Sequence, residues 1–301
     1  MDPTPARPAN PATVHTPPTE IRKAGCRYLV ATRIGNLEDI TVRALRILGE
    51  SHLIACEDTR QTAKLLRHYN IDKKTVSYHE HNEMTRAAEL VILLEEGAKV
   101  ALVTDAGTPG ISDPGHHLIS LCLRHHIPIV PIPGPSAVIA ALTASGLPTE
   151  EFLFVGFLPS RSGERRKTLE RLASEQRTLV LYESPHRLAD TLADALDLLG
   201  RRPAVIAREI TKVHEEFLRG DLAELLVRVQ QRPPRGEITL LVGKVAEGQM
   251  VASDLPSAPL HQRVEQIMLE QNIDRKAALK TAARERGLSK REAYKQLLAN
   301  R

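Results

Sequence analysis

The sequence contains no tryptophan, and only four phenylalanines and five tyrosines among its 301 residues. A module that binds single-stranded RNA by stacking bases on aromatic rings is therefore disfavoured. No apolar run approaches the ~18 residues that a membrane helix needs. The first residues lack the basic-then-apolar pattern of a secretion signal. Cysteine is scarce: Cys26, Cys56 and Cys122 lie far apart, in or beside apolar segments, without metal-ligand spacing such as C-x-x-C. They read as buried thiols of a protein in the reducing cytoplasm. Three common motifs are also missing. Without G-x-G-x-x-G after the first strand, a standard dinucleotide site is not indicated, and without G-x-x-x-x-G-K-[ST] neither is a P-loop. Without G-x-S-x-G an α/β-hydrolase is unsupported.

What is present points to a folded α/β protein. Hydrophobic residues make up 42% and charged residues 26%, enough to bury a core and keep a polar surface. The length suggests about two domains. The net charge of +4 is unevenly spread: residues 261–301 carry +5, and the other 260 residues carry −1. A basic terminal module beside a near-neutral body suits a polyanionic partner such as nucleic acid, although a solvated helical face gives the same pattern.

Residues 1–25 hold six prolines and no apolar periodicity, and read as a disordered tail. Predicted strands at 28–32, 53–56, 75–78, 100–104 and 129–132 alternate with helices at 41–49, 61–68, 84–95, 116–124 and 136–144, which argues for a mainly parallel sheet. These form a first α/β domain over 26–147. A second α/β domain over 148–244 starts after the boundary at Pro148 and has strands at 152–157, 179–182, 204–208 and 237–242. A Gly-, Ser- and Pro-rich linker over 245–259 leads to a basic helical module over 260–301. There Ala277, Ala278, Ala282 and Ala283 share a helical face, and Gly287 can end that helix. Ser289, Lys290, Arg291 and Glu292 fit a capping box that starts the next one.

Polar, Gly-rich segments follow all five strands of the first domain, at the edge where open α/β sheets bind ligands. They are 32–36, Glu57-Asp58-Thr59-Arg60, His79-Glu80-His81-Asn82, 105–115, and Pro133-Gly134-Pro135-Ser136. The 105–115 loop is the richest. Gly107, Gly110 and Gly115 can take positive φ, Pro109 and Pro114 stiffen the path, and Asp105 can accept from an amine or a ribose hydroxyl. His79 and His81 flank Glu80, but no third ligand is evident and no metal is assigned. In the second domain, 182–187 and 208–212 also follow strands. Ser184 equally suits helix capping, and Glu209 with Lys212 a surface ion pair.

These segments, with Leu37-Glu38-Asp39-Ile40-Thr41 and Tyr182-Glu183-Ser184-Pro185-His186-Arg187, resemble the ribosomal small-subunit methyltransferase I family of the tetrapyrrole-methylase-like superfamily. The similarity spans about residues 27–242 and extends to the C-terminal helices. It implies two α/β domains with S-adenosylmethionine in a cleft between them, a homodimer, and 2′-O-methylation of a cytidine ribose in the decoding centre of 16S rRNA or the 30S subunit. Carried over by position, Gly35, Asp105, Ala106, Gly107, Ile111, Ser136, Ala137, Tyr182, Ser184 and Arg208 line the cofactor. The family usually has Pro where this chain has Arg33, which leaves the first loop's conformation and a phosphate contact there open. A 2′-hydroxyl is a weak acid and needs help to lose its proton. Glu80 and His79 are the candidate bases and Lys212 the electrostatic helper. Two other readings stand beside this one. A small-molecule tetrapyrrole methyltransferase needs no basic tail, and a non-catalytic RNA-binding protein needs no intact 105–115 loop.

Overall fold

A computed structural model describes residues 25–244, 261, 264–265, 267–268 and 273–285. The chain forms two compact units. The first holds the described residues up to Ala144 together with Ala207–Glu216 and Gly236–Thr239, and the second holds the remaining described residues.

The first unit is built on a sheet of β1 (Cys26–Val30), β2 (Leu53–Cys56), β3 (Thr75–Ser77), β4 (Lys99–Val103) and β5 (Ile129–Ile132), in the order β3-β2-β4-β1-β5. All four pairings are parallel. Parallel strands are covered on both faces and so read as near-continuous apolar runs; every residue of Leu53–Cys56 is buried. The connecting helices are α1 (Val42–Glu50), α2 (Thr59–His68), α3 (Glu83–Glu95) and α4 (His116–Arg124), and α5 (Ala137–Ser145) follows β5. From β1 the chain crosses over β4 to reach β2; from β4 it crosses over β1 to reach β5. Right-handed crossovers in opposite directions place their helices on opposite faces. The packing agrees. Ala44, Ile47 and Leu48 of α1, with Leu65 and Leu66 of α2, cover Val30, Ile54, Ala101 and Ile132. Leu90 and Leu94 of α3, with Leu118 and Cys122 of α4, cover Leu53, Ala55, Val100 and Leu102. The three cysteines are free and buried.

Local signals fix the helix starts. The Thr41 hydroxyl accepts from the Ala44 N–H at 3.1 Å, and the Asp58 carboxylate from the Arg60 N–H at 2.8 Å. The first strand ends two residues earlier than its apolar run suggests. Thr32 turns away from the ladder and donates its N–H to the Gly107 carbonyl instead.

The second sheet has the order β6-β7-β10-β8-β9: β6 (Phe152–Phe157), β7 (Thr178–Glu183), β8 (Pro203–Arg208), β9 (Glu216–Asp221) and β10 (Ile238–Val242). Helix α6 (Ser162–Arg171) packs on α7 (Leu188–Leu199), and α7 on α8 (Leu222–Gln231). Asp221 and Glu224 form a reciprocal capping box at the start of α8. Ser184 does not cap α7: the N-cap is Arg187, without a side-chain bond. Toward the C-terminus, α9 (Arg275–Glu285) buries Ala278, Leu279, Ala282 and Ala283 against Val264 and Ile267. The predicted stop at Gly287 and the capping box at 289–292 lie outside the described residues, as do the predicted tail up to residue 24 and the linker over 245–259.

Leu48 is fully buried at the centre of the α1 face. Leu48→Ala should cost ~2–5 kcal/mol of stability by denaturant unfolding; a decrease below about 0.5 kcal/mol would place it outside a close-packed core.

Candidate active site at the strand tips of the first unit

The two opposed crossovers leave β1 and β4 side by side with chains departing to opposite faces, the crevice where open α/β sheets take ligands. Two backbone hydrogen bonds lock the loops above it. Thr32 N–H donates to the Gly107 carbonyl at 2.9 Å, and Gly107 N–H donates to the Arg33 carbonyl at 3.2 Å. Gly107 has φ +82°, and its Cα faces Ile34 and the Pro135 carbonyl. A side chain there would strain the turn. Arg33 takes a definite role: its guanidinium donates to the Asp105 carbonyl at 3.0 Å and ties the first loop to the fourth. The Thr108 hydroxyl donates to the Pro135 carbonyl at 3.2 Å, joining the fourth loop to the fifth beside Ser136 and Ala137, where α5 begins. Gly35, Asp105, Ala106, Gly107, Ser136 and Ala137 thus belong to one connected set of loops. Ile111 is exposed farther along the same loop.

The Asp105 carboxylate accepts from the Asp58 N–H at 3.2 Å. Burial raises its pKa; that N–H opposes the rise, the Asp58 charge adds to it and Arg33 counters it.

The same loop has a second flank. Beyond Gly110 it passes Ser112, a non-glycine residue at φ +59°, and enters α4 at Gly115. With the ends of β2 and β3 it borders an open cavity of about 540 Å³, whose lining includes Glu57, His79, Glu80, His81, Asp113 and His116. Asn82 shapes the His79 turn. Its side-chain carbonyl accepts from the His79 N–H at 2.9 Å, and its amide nitrogen reaches the Ser77 hydroxyl at 3.2 Å and His79 Nε2 at 3.3 Å. The Thr104 hydroxyl, at the tip of β4, has one proton, which it donates to Glu57 at 3.4 Å or turns toward Asp113. Burial pushes the Asp113 carboxyl up to about 6 against the Thr104 hydrogen bond, and the Glu57 and Asp105 charges add to the rise. The structure therefore brings His79 and Glu80 together, and adds Glu57 and Asp113. Neither was singled out by sequence reasoning; their only sequence signal is their place in loops that follow strands. Among the described residues no group of three or more His, Cys, Asp and Glu side chains is arranged to hold a metal ion.

Lys212 does not line this cavity. Its ammonium donates to Glu209 at 2.9 Å and Glu237 at 3.1 Å. Burial pulls its pKa down, but the two carboxylates outweigh that and hold it above the usual lysine range. The ion pair anchors a segment with Glu209 at φ +49° and Thr211 at φ +67°. The Thr211 hydroxyl accepts from the Asn36 N–H at 2.9 Å, and the Lys212 stem lies where a Gly35 side chain would be, 2.6 Å from an ideal Cβ. Arg208, at the end of β8, pairs with Glu216 at 2.6 Å. In the second unit, Tyr182 stands edge-on to Phe154 with ring centres 5.2 Å apart, and Ser184 donates its N–H to Glu183 at 2.8 Å.

The model of the tetrapyrrole (corrin/porphyrin) methylases matches residues 28–226. The chain belongs to that family. Among curated relatives, the ribosomal RNA small subunit methyltransferase I of Halalkalibacterium halodurans is 48% identical over 90% of this chain and 93% of its own. The protein of the same name from Escherichia coli O157:H7 is 44% identical over 91% and 95%. That from Thermotoga maritima is 49% identical over 72% and 98%. Two solved structures share the fold. Cobalt precorrin-4 methyltransferase, a cobalamin biosynthetic enzyme, has a TM-score of 0.56 at 19% identity over 76% of this chain and 98% of its own. The uroporphyrin-III C-methyltransferase of Thermus thermophilus, complexed with S-adenosyl homocysteine, has 0.54 at 23% identity over 74% and 99%. The fold is thus the two-sheet α/β architecture of the tetrapyrrole methylases.

One half-buried carboxyl at these strand tips is costly to keep ionised. A carboxyl whose folded pKa lies above its ordinary value of 3.8 destabilises the fold when it loses its proton. For Asp113 the cost is absent below about 3.8 and complete above about 6. Asp113→Asn should therefore raise stability at pH 7 by on the order of 1–3 kcal/mol, with no gain at a pH below the ordinary carboxyl range. An equal gain at both pH values in thermal unfolding would contradict this environment for Asp113.

Proposed function

We propose that this chain transfers a methyl group from S-adenosylmethionine to the 2′-oxygen of a cytidine in the decoding centre of 16S rRNA. The observation that carries the reading is the 44–48% identity to rRNA small subunit methyltransferase I proteins over at least 93% of their length. The cofactor supplies an electrophilic methyl on a sulfonium.

The residues present suit such a ligand. It carries no phosphate, and no phosphate-binding glycine motif is present in the sequence. Its amine and hydroxyl donors and its positive charge suit a strand-tip edge carrying Asp58 and Asp105. We assign to it Gly35, the Asp105-Ala106-Gly107 backbone, Ile111, Ser136 and Ala137, with Tyr182, Ser184 and Arg208 carried over from the family resemblance. The acceptor ribose belongs to the cavity with His79 and Glu80. Holding it in line with the methyl group is worth up to ~7–11 kcal/mol in ideal cases. Lys212 acts by positioning, through its grip on Glu209 and Glu237 and its cover over Gly35. The enzyme acts as a homodimer in the cytoplasm, on 16S rRNA or the 30S subunit.

Purified protein, labelled S-adenosylmethionine and 30S subunits lacking the modification test the reading. Nucleoside mass spectrometry should find the label in 2′-O-methylcytidine. Label on a base, or methylation of a tetrapyrrole instead of RNA, contradicts it. The basic C-terminus makes a second prediction. Changing Lys290, Arg291 and Lys295 together to Gln should weaken 30S binding. It should also flatten the salt dependence by ~0.7–0.9 log units per log salt for each phosphate no longer neutralised. An unchanged slope removes these residues from the RNA interface.

A further inference from the structure

The cavity beside β2 and β3 holds a group better suited to proton transfer than the two assigned above. We propose that Asp113 takes the proton from the attacking 2′-hydroxyl, presented to the cavity by the left-handed turn at Ser112 and the entry into α4 at Gly115. The proposal rests on the reading that the acceptor nucleoside enters this cavity.

The hydrogen-bond directions narrow the choice. Asn82 must present its carbonyl oxygen to the His79 N–H, so its NH₂ faces His79 Nε2. Nε2 then accepts, and the proton of the neutral imidazole sits on Nδ1. His79 in this state is a donor and has no lone pair left for a substrate proton. Glu80 is exposed on the turn after β3. Glu57 lies at 3.4 Å from the Thr104 hydroxyl. Asp113 is the carboxylate carried by the cofactor loop itself. The loop is locked to β1 through Gly107 at one end and enters α4 through Gly115 at the other, with Pro109 and Pro114 between. One stiff segment thus presents the 105–107 backbone on one flank and Asp113 on the other.

The cavity also suits a sugar better than a phosphate. Glu57, Glu83 and Asp113 repel an anion, whereas ribose hydroxyls and the amino group of cytosine are donors that carboxylates accept. In the proposed step the 2′ O–H bond breaks and its proton passes to a carboxylate oxygen of Asp113. The 2′-oxygen forms its bond to the methyl carbon as the carbon–sulfur bond of the methyl sulfonium breaks, and sulfur keeps that electron pair. The proton then leaves to water. Glu57 and Asp105 raise the basicity of Asp113, as does its burial. The remaining titratable groups around the cavity are His79, Glu80, His81 and Glu83 from the β3 side and His116 from α4.

Asp113→Asn and Asp113→Glu in the full chain test the assignment. The Asn variant should bind S-adenosylhomocysteine as the unaltered chain does by calorimetry, and fall ~10²–10⁴-fold in kcat. The Glu variant should recover part of that activity. In the unaltered chain kcat should rise with pH through about 6, and carbon-13 NMR should show one aspartate carboxyl titrating there that is missing from the Asn variant. If the Asn variant fails to fold, the pH limb and the carboxyl titration of the unaltered chain decide. An Asn variant within about threefold of an active parent, or an Asp113 carboxyl titrating in the ordinary aspartate range, overturns the inference alone. A parent that makes no 2′-O-methylcytidine overturns the functional reading beneath it.

Discussion

The site rests on the pair of hydrogen bonds that join Thr32 and Arg33 to Gly107. They set the tip of β1 against the tip of β4, neighbouring strands whose chains leave toward opposite faces of the sheet. Gly107 at φ +82° makes the exchange possible, because a residue with a side chain resists that conformation. Three further contacts extend this junction along the strand tips. Arg33 braces it through the Asp105 carbonyl, Asp105 reaches across to Asp58, and Thr108 carries the connection on to Pro135. A loop held at this end can place Ser112 and Asp113 at the other end without freedom to drift.

The second structural device is the segment around Lys212. Its backbone holds two non-glycine residues, Glu209 and Thr211, at positive φ, a conformation costing of order 1–3 kcal/mol each. The ion pairs to Glu209 and Glu237 and the hydrogen bond from Asn36 to Thr211 offset that strain. Gly236 is part of the arrangement: a Cβ there would collide with the Glu209 carboxylate. The segment holds the Gly35–Asn36 turn down, which is the physical content of a positioning role for Lys212.

Much of this was legible in the sequence. The alternation of apolar runs with helical periods located the strands of the first sheet to within two residues, because parallel strands buried on both faces leave an uninterrupted apolar signature. The loaded loops at their ends were visible as Gly, Pro and polar clusters. Long-range pairing was not. Nothing local says that Thr211 meets Asn36, that Arg33 bonds the Asp105 carbonyl, or that Thr104 bonds Glu57, since these partners lie dozens of positions apart. Ser184 looked like a helix cap because its residue type favours that role, yet its N–H and hydroxyl are taken by Glu183. His79 and Glu80 stood out as a motif, whereas the carboxylate with the perturbed environment sat unremarked in the glycine-rich loop.

The central claim is that one loop separates two ligands, the methyl donor on the 105–108 flank and the acceptor nucleoside on the 112–115 flank. Hydrogen–deuterium exchange of the full chain tests it directly. S-adenosylhomocysteine alone should protect 33–36, 105–108 and 136–137. Adding a cytidine-containing oligonucleotide of the decoding centre should protect 79–83 and 112–116 in addition. Protection of the 79–83 and 112–116 segments by the cofactor product alone, or of neither flank by either ligand, would contradict the account.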